Sequence, residues 1–175
     1  MRRHLPANVT SEGFTLIELL VVIIIISLLA GISLPSFLNQ ANKAKQAEAK
    51  TYTGTLNRVQ QAHFLEKTRF AGTLEELANP VPPETDNYSY GFSSVNPPDA
   101  EVSLSVSNYG TSKKDSLKSY VGMTAVTSPI VNGESTTTAS LCEADAPKAI
   151  QAADPTPHED GTADQPTCAE GTTKL

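Results

Sequence analysis

The sequence predicts an α+β chain, with one long N-terminal helix packed on a small antiparallel sheet. Three observations predict it. An apolar run fills residues 14–34, helical spacing continues beyond it, and short alternating segments follow from Tyr88. The averages hide this order. The chain has 175 residues, 39% of them hydrophobic and 18% charged, with a net charge of −6. Those values exclude a collagen, a polytopic membrane protein and a fully disordered chain. The acidic balance argues against a nucleic-acid binder.

The first element is the apolar run, Phe14 to Leu34, which reads FTLIELLVVIIIISLLAGISL. As a helix it rises about 31 Å, close to the hydrocarbon thickness of a bilayer. Glu18 is the only charge inside it, and the next is Lys43. No polar face appears between Leu19 and Ser27, so the helix is a membrane span or is buried on all sides. The remaining chain is too short for the second option. A secretory signal fits poorly, because Leu29-Ala30-Gly31 is a weak cleavage site and the helical pattern runs on past it. Arg2 and Arg3 face Lys43, Lys45 and Lys50 across the span, so the positive-inside rule does not set its orientation. Pro35 has no amide hydrogen to offer the carbonyl of Gly31, which predicts a kink there. Ser27, Gly31 and Ser33 weaken the same stretch.

The second element continues the helix. Ala49, Tyr52, Leu56 and Val59 recur at helical spacing, and Tyr52, Leu56 and Val59 are expected to face the sheet. Gly54 weakens this helix without ending it. The predicted end is Lys67, about 80 Å from Phe14. The basic residues along it read as a solvated face rather than a nucleic-acid groove. Gly72 then breaks the chain, and Thr73-Leu74-Glu75-Glu76 resembles a capping box opening one short helix. Asn79-Pro80-Val81-Pro82-Pro83 is a loop.

Four strands are predicted next, at residues 88–92, 101–106, 120–126 and 135–141. In the second, Val102, Leu104 and Val106 share one face. Asn96-Pro97-Pro98-Asp99 and Asn132-Gly133 mark turns. Links of hairpin length make the sheet antiparallel.

One junction is more specific than the rest. Ser11-Glu12-Gly13-Phe14-Thr15-Leu16-Ile17-Glu18 resembles the processing site of a type IV prepilin with a class III leader. The resemblance covers residues 1–70 and includes the unbroken apolar run and Pro35. It implies the type IV pilin fold, with a membrane aspartyl peptidase cutting between Gly13 and Phe14 and methylating the new amine of Phe14. Gly13, lacking a side chain, lets a protease approach its backbone. It implies that Glu18 of one subunit meets the Phe14 amine of a neighbour during assembly, and that Ser27–Pro35, with Gly31, forms a soft joint. The string Gln60 to Lys67 followed by Phe70-Ala71 resembles cyanobacterial members.

The resemblance divides the chain into a leader at 1–13, a membrane and filament-core helix at 14–35, and its amphipathic continuation at 36–70. A sheet head at 71–141 and a C-terminal loop at 142–175 complete it. In that exported part, two cysteines, Cys142 and Cys168, favour a disulfide, as in many type IV pilins. Closing a loop of that size stabilises by roughly 3–3.5 kcal/mol in the chain-entropy model. The enclosed segment has few apolar residues and is expected to be an exposed loop. Asp154, Glu159, Asp160 and Asp164 match no calcium-loop spacing and read as a solvated acidic face.

His4, His63 and His158 lie in separate segments, and the sequence has no phosphate loop or nucleophile elbow. No cofactor, metal or catalytic set is therefore expected. The resemblance implies a filament-forming subunit, first in the inner membrane and then in an extracellular helical homopolymer. Its implied partners are a prepilin peptidase, an assembly platform, extension and retraction ATPases and a secretin. Twitching motility, adhesion to surfaces and DNA uptake are the implied outputs. A minor pilin acting as an adhesin or DNA-binding module, and a pseudopilin of type II secretion, are the alternatives. Without residues 1–13 the net charge becomes −7, divided as +3 on 14–70, −5 on 71–141 and −5 on 142–175.

Overall fold

The computed structural model describes residues 13–78, 81–95, 105–131, 134–148, 168 and 170–175. The chain divides into two compact units at Ala41/Asn42. One helix, α1 (Leu16–Lys67), begins in the first unit and ends in the second. Its start lies two residues after Phe14. Thr15 supplies the cap, so Phe14 stays outside the helix.

In the first unit the apolar side chains of α1 are exposed among the described residues. Ile24 is 51% exposed and Ile32 79%. Pro35 lies inside α1, and the helix is continuous through it. Ser27 and Ser33 turn their hydroxyls back to the carbonyls of Ile23 and Ala30. They thereby bond within the helix rather than outside it.

In the second unit five strands follow α1. They are β1 (Tyr88–Val95), β2 (Ser105–Ser112), β3 (Tyr120–Val131), β4 (Glu134–Ala144) and β5 (Thr172–Lys174). They form one antiparallel sheet in chain order. The register places Asn108 opposite Gly122 and Gly122 opposite Leu141. The core lies between helix and sheet, where Ala49, Leu56, Tyr88, Tyr90 and Tyr120 join Ala71, Leu77, Val81 and Leu117. A second cluster joins Phe64, Phe70, Val106 and Val126.

The structure corrects several expectations. Leu56 faces the sheet as predicted, and Tyr52 and Val59, half-buried, pack against the same core, Tyr52 on Tyr90 of β1. The buried stripe is Ala49, Thr53, Leu56, Asn57, Gln60 and Phe64, half of it polar. Two of its polar members have side-chain partners, whereas the buried Thr53 hydroxyl has none among the described residues. The Gln60 side-chain amide accepts from the Ala71 N–H at 2.9 Å and donates to the Ala71 carbonyl. Asn57 bonds the sheet at β2 and β4. Of the predicted strand at 101–106, residues 101–104 lie outside the described residues, and 105–106 begin a strand that runs on to Ser112. The four predicted strands become five, because Thr172–Lys174 pairs with the end of β4. Cys142 and Ala144 are part of β4 rather than of a terminal loop. The predicted turns at 96–99 and 132–133, and the acids of 154–164, also lie outside the described residues.

Thr68 ends α1 just past the predicted boundary at Lys67. It takes the left-handed conformation, with φ 56°, and its N–H bonds the Phe64 carbonyl at 2.7 Å. This is the backbone position that glycine serves best, and a β-branched residue there is strained. Thr68→Gly should therefore raise the stability of the detergent-solubilised chain by about 1 kcal/mol. A lower urea midpoint in the variant would refute this. The expected capping box at Thr73 is only half formed. Thr73 accepts from the Glu76 N–H, but the Glu76 carboxylate bonds Gly72 N–H and Arg69 instead, and the helix is a single 3-10 turn, Glu75–Leu77. Arg69 first, then the Gly72 N–H, hold the Glu76 carboxyl below its ordinary value.

Tyrosines dominate one end of the core. Tyr52 meets Tyr90 edge-on at 5.3 Å, and Tyr88 lies 6.1 Å from Tyr90 and 6.5 Å from Tyr120. Tyr88 donates to the Lys118 carbonyl and Tyr120 to Glu143, which also pairs with Lys118 at 2.6 Å. Burial pushes the Tyr88, Tyr90 and Tyr120 phenols above their ordinary range. Neighbouring carboxylates add to this, Glu48 beside Tyr88 and Tyr90, Glu143 beside Tyr88 and Tyr120. A raised folded value means that stability is intact below the unfolded value of about 10 and is lost as pH rises above it. The loss is at most about 1.4 kcal/mol per tyrosine per pH unit. Urea midpoints should thus hold from pH 8 to 10 and fall steeply by pH 11.5. Tyrosinate absorbance should rise together with unfolding, and a flat midpoint would refute the coupling.

Candidate functional site: the start of the apolar helix

The sequence motif places Gly13, Phe14, Thr15 and Glu18 within six residues, and the structure shows what the backbone does there. Gly13 to Thr15 is non-helical and exposed, with Phe14 91% exposed. A Cβ built on Gly13 would meet nothing within 4 Å. Among the described residues nothing therefore crowds the Gly13 position.

Thr15 and Glu18 form a reciprocal capping box. The Thr15 hydroxyl accepts from the Glu18 N–H at 3.3 Å, and Glu18 Oε2 accepts from the Thr15 N–H at 2.8 Å and from its hydroxyl at 2.7 Å. Two of the amide hydrogens that a helix start leaves without partners are satisfied this way. The local sequence explains it, since Thr-Leu-Ile-Glu is the Thr-x-x-Glu signature of a helix start. Thr15 is the residue that the prepilin resemblance alone did not single out, and this signature is the signal that locates it.

The box changes what Glu18 is in a single chain. Its carboxylate accepts from two donors at its own helix start, and among the described residues no ion pair involves it. Phe14, Ile17, Glu18, Val21 and Val22 line one open notch at this end. Glu18 is the only ionised member of that lining. The expected contact between Glu18 and a Phe14 amine is one between two copies, and a single chain does not hold it. Gly31 and Pro35 lie farther along the same helix and away from the notch.

Cys142 and Cys168 are joined in a disulfide, with Cα atoms 5.7 Å apart. It ties residue 168 to β4, and β5 lies four to six residues farther on, paired with the same strand. Among the described residues no group of three or more His, Cys, Asp or Glu side chains could hold a metal ion.

A fully exposed apolar helix, opened by Gly-Phe-Thr-Leu-Ile-Glu and continued against a small antiparallel sheet, is the architecture of a type IV pilin. Comparison with known proteins agrees along the chain. The prokaryotic N-terminal methylation motif matches residues 10–34. The type IV pilin-like G and H family matches residues 46–169, and the chain belongs to that family. It is similar to the type IV major pilin protein PilA of Myxococcus xanthus (strain DK1622), with 38% identity over 88 residues. That match covers 50% of this chain and 40% of the relative, so it spans about two fifths of the relative's length. No solved structure matches.

Proposed function

We propose that this chain is a structural subunit of a type IV pilus, polymerising through α1 into a helical filament. The observation that carries the reading is the first half of α1. It is long and apolar enough to cross a membrane, and none of it is buried within its own chain. Such a surface needs lipid or other copies of itself. A bilayer covers it first, and neighbouring helices cover it in the filament. The role is structural and not enzymatic.

The supporting chemistry lies at both ends of that helix. Cleavage between Gly13 and Phe14 by a prepilin peptidase releases an amine four residues before Glu18 along the exposed start. Methylation of Phe14 keeps that charge. At the other end Pro35 leaves the Gly31 carbonyl without its helical donor, which makes residues 27–35 the cheapest place for α1 to extend under load. The assembly platform, its ATPases and a secretin would move the subunit from the inner membrane to the surface. Motility, adhesion or DNA uptake would be the output. The Cys142–Cys168 disulfide favours a pilin over a pseudopilin that closes the same region around calcium.

Mass spectrometry of sheared surface filaments tests the proposal. The expected dominant species begins at methylated Phe14 and carries the disulfide. Recovery of this chain only in trace amounts, with filaments intact after its deletion, would make it a minor component. Its absence from filaments would overturn the proposal.

A further inference from the structure

The second half of α1 has a face that the sheet does not cover. Lys43, Ala47, Lys50, Gly54 and Arg58 follow one another at steps of four, three, four and four residues, which places them on one stripe of the helix. Lys43, Ala47, Lys50 and Arg58 are exposed. The stripe spans about 22 Å. Ala47 is exposed between Lys43 and Lys50, whereas a Cβ on Gly54 would lie 3.8 Å from Leu141 of β4, so the stripe borders the sheet there. The only acid between Lys43 and Arg58 is Glu48, which accepts a bond from the Tyr90 hydroxyl.

Among the described residues the ion pairs are Arg69–Glu76, Lys113–Glu84 and Lys118–Glu143. None involves Lys43, Lys50 or Arg58. Residues 71–175, in contrast, carry a net charge of −10. Glu75, Asp86, Asp115 and Glu170 of that part are exposed and take part in none of the ion pairs.

We propose that the stripe Lys43–Lys50–Arg58 docks the acidic head of a second copy of this chain. The inference deepens the filament reading and rests on it. A second copy fits better than another polyanion. A nucleic acid is a uniform polyanion with no cationic surface to offer in return, whereas a second copy carries both charges. A second copy presents the same two opposite surfaces, so each contact leaves one stripe and one acidic surface free for the next. That is the heterologous arrangement a filament requires. The apolar half of α1 then supplies adhesion between subunits, while the stripe selects their register and orientation.

Filament yield and salt response in the piliated host test this. The reversal Lys43→Glu/Lys50→Glu/Arg58→Glu should leave a subunit cleaved before Phe14, held in the membrane and disulfide-bonded. Its sheared filaments should fall at least tenfold. The milder Lys43→Gln/Lys50→Gln/Arg58→Gln should form filaments that shed subunits at lower salt than wild-type ones. Should the reversed subunit fail to accumulate, the glutamine variant decides. Wild-type yield and an unchanged salt profile would overturn the proposal. Loss of duplex DNA binding with filaments unaffected would overturn it too, because the stripe would then serve a nucleic acid. Failure of the wild-type chain to enter filaments at all would instead defeat the filament reading.

Discussion

Replacing Asn57 with leucine is expected to destabilise the globular unit by about 3 kcal/mol, although asparagine is among the poorer helix formers. Its side chain is buried and fixed from two sides. Nδ2 donates to the Ser140 carbonyl on β4 at 2.8 Å, and Oδ1 accepts from Asn108 Nδ2 on β2 at 2.6 Å. The Thr124 hydroxyl on β3 reaches the Asn57 carbonyl at 3.4 Å. One helical residue thus bonds three neighbouring strands. Leucine would leave the Asn108 amide and the Ser140 carbonyl buried without those partners, at about 1–3 kcal/mol each. Its apolar burial offsets only part of this.

The approach of the helix depends on glycines beneath these side chains. A Cβ on Gly122 would collide with the Asn57 amide, and one on Gly110 would lie 2.7 Å from the Thr53 hydroxyl. Gly122→Ala should therefore destabilise on its own and do so less in an Asn57→Ala background, where the methyl has room. Urea unfolding of the four chains in detergent provides the measurement. A cost below about 1 kcal/mol for Asn57→Leu, or strict additivity of the two alanine substitutions, would show that the seam does not hold the head to the helix.

The same seam explains what was legible in the sequence. The span and its processing junction are local, so residues 11–35 display them without help from the rest of the chain. The end of α1 at Lys67 was also readable, because apolar periodicity stops there. Burial in β3 fills residues 120–122 and 124–126 and in β4 selects Ser140, Cys142 and Ala144, whereas the start of β1, Tyr88 to Tyr90, alternates in the ordinary way. Strand β2 does not. Its helix-facing positions are Val106, Asn108, Gly110 and Ser112, so burial alternates while hydrophobicity hardly does. Asn108 becomes a core residue only because Asn57 stands 51 residues away in sequence and 2.6 Å away in space. No window of the chain contains that fact. Gln60 and Phe64 belong to a string read as a family likeness, and the structure gives it a physical role. Gln60 clamps Ala71, and Phe64 lies 4.9 Å from Phe70. The cap at Thr15 was visible as Thr-x-x-Glu. Its meaning for Glu18 required the geometry.

Glu18→Ala is expected to give a subunit that is cleaved before Phe14 and remains in the membrane but scarcely polymerises, with sheared filaments reduced at least tenfold. Two roles of Glu18 must be separated. Within one chain its carboxylate closes the capping box with Thr15, which organises the first turn of α1. Between chains it is proposed to meet the Phe14 amine released by processing. An acid near the end of a membrane helix is tolerated, but one drawn among packed apolar helices is costly unless a cation joins it. Assembly would supply that cation, and would do so only at the axial offset that brings one helix start beside another. Glu18→Gln can still accept both bonds from Thr15 but has no charge, so it should assemble as poorly as alanine. Thr15→Ala keeps the charge and weakens only the cap, so filaments should form. Filament yields measured beside the cleaved membrane pool discriminate these outcomes. Normal piliation from Glu18→Ala would refute both roles, whereas normal piliation from Glu18→Gln with failure of Thr15→Ala would assign assembly to the cap alone.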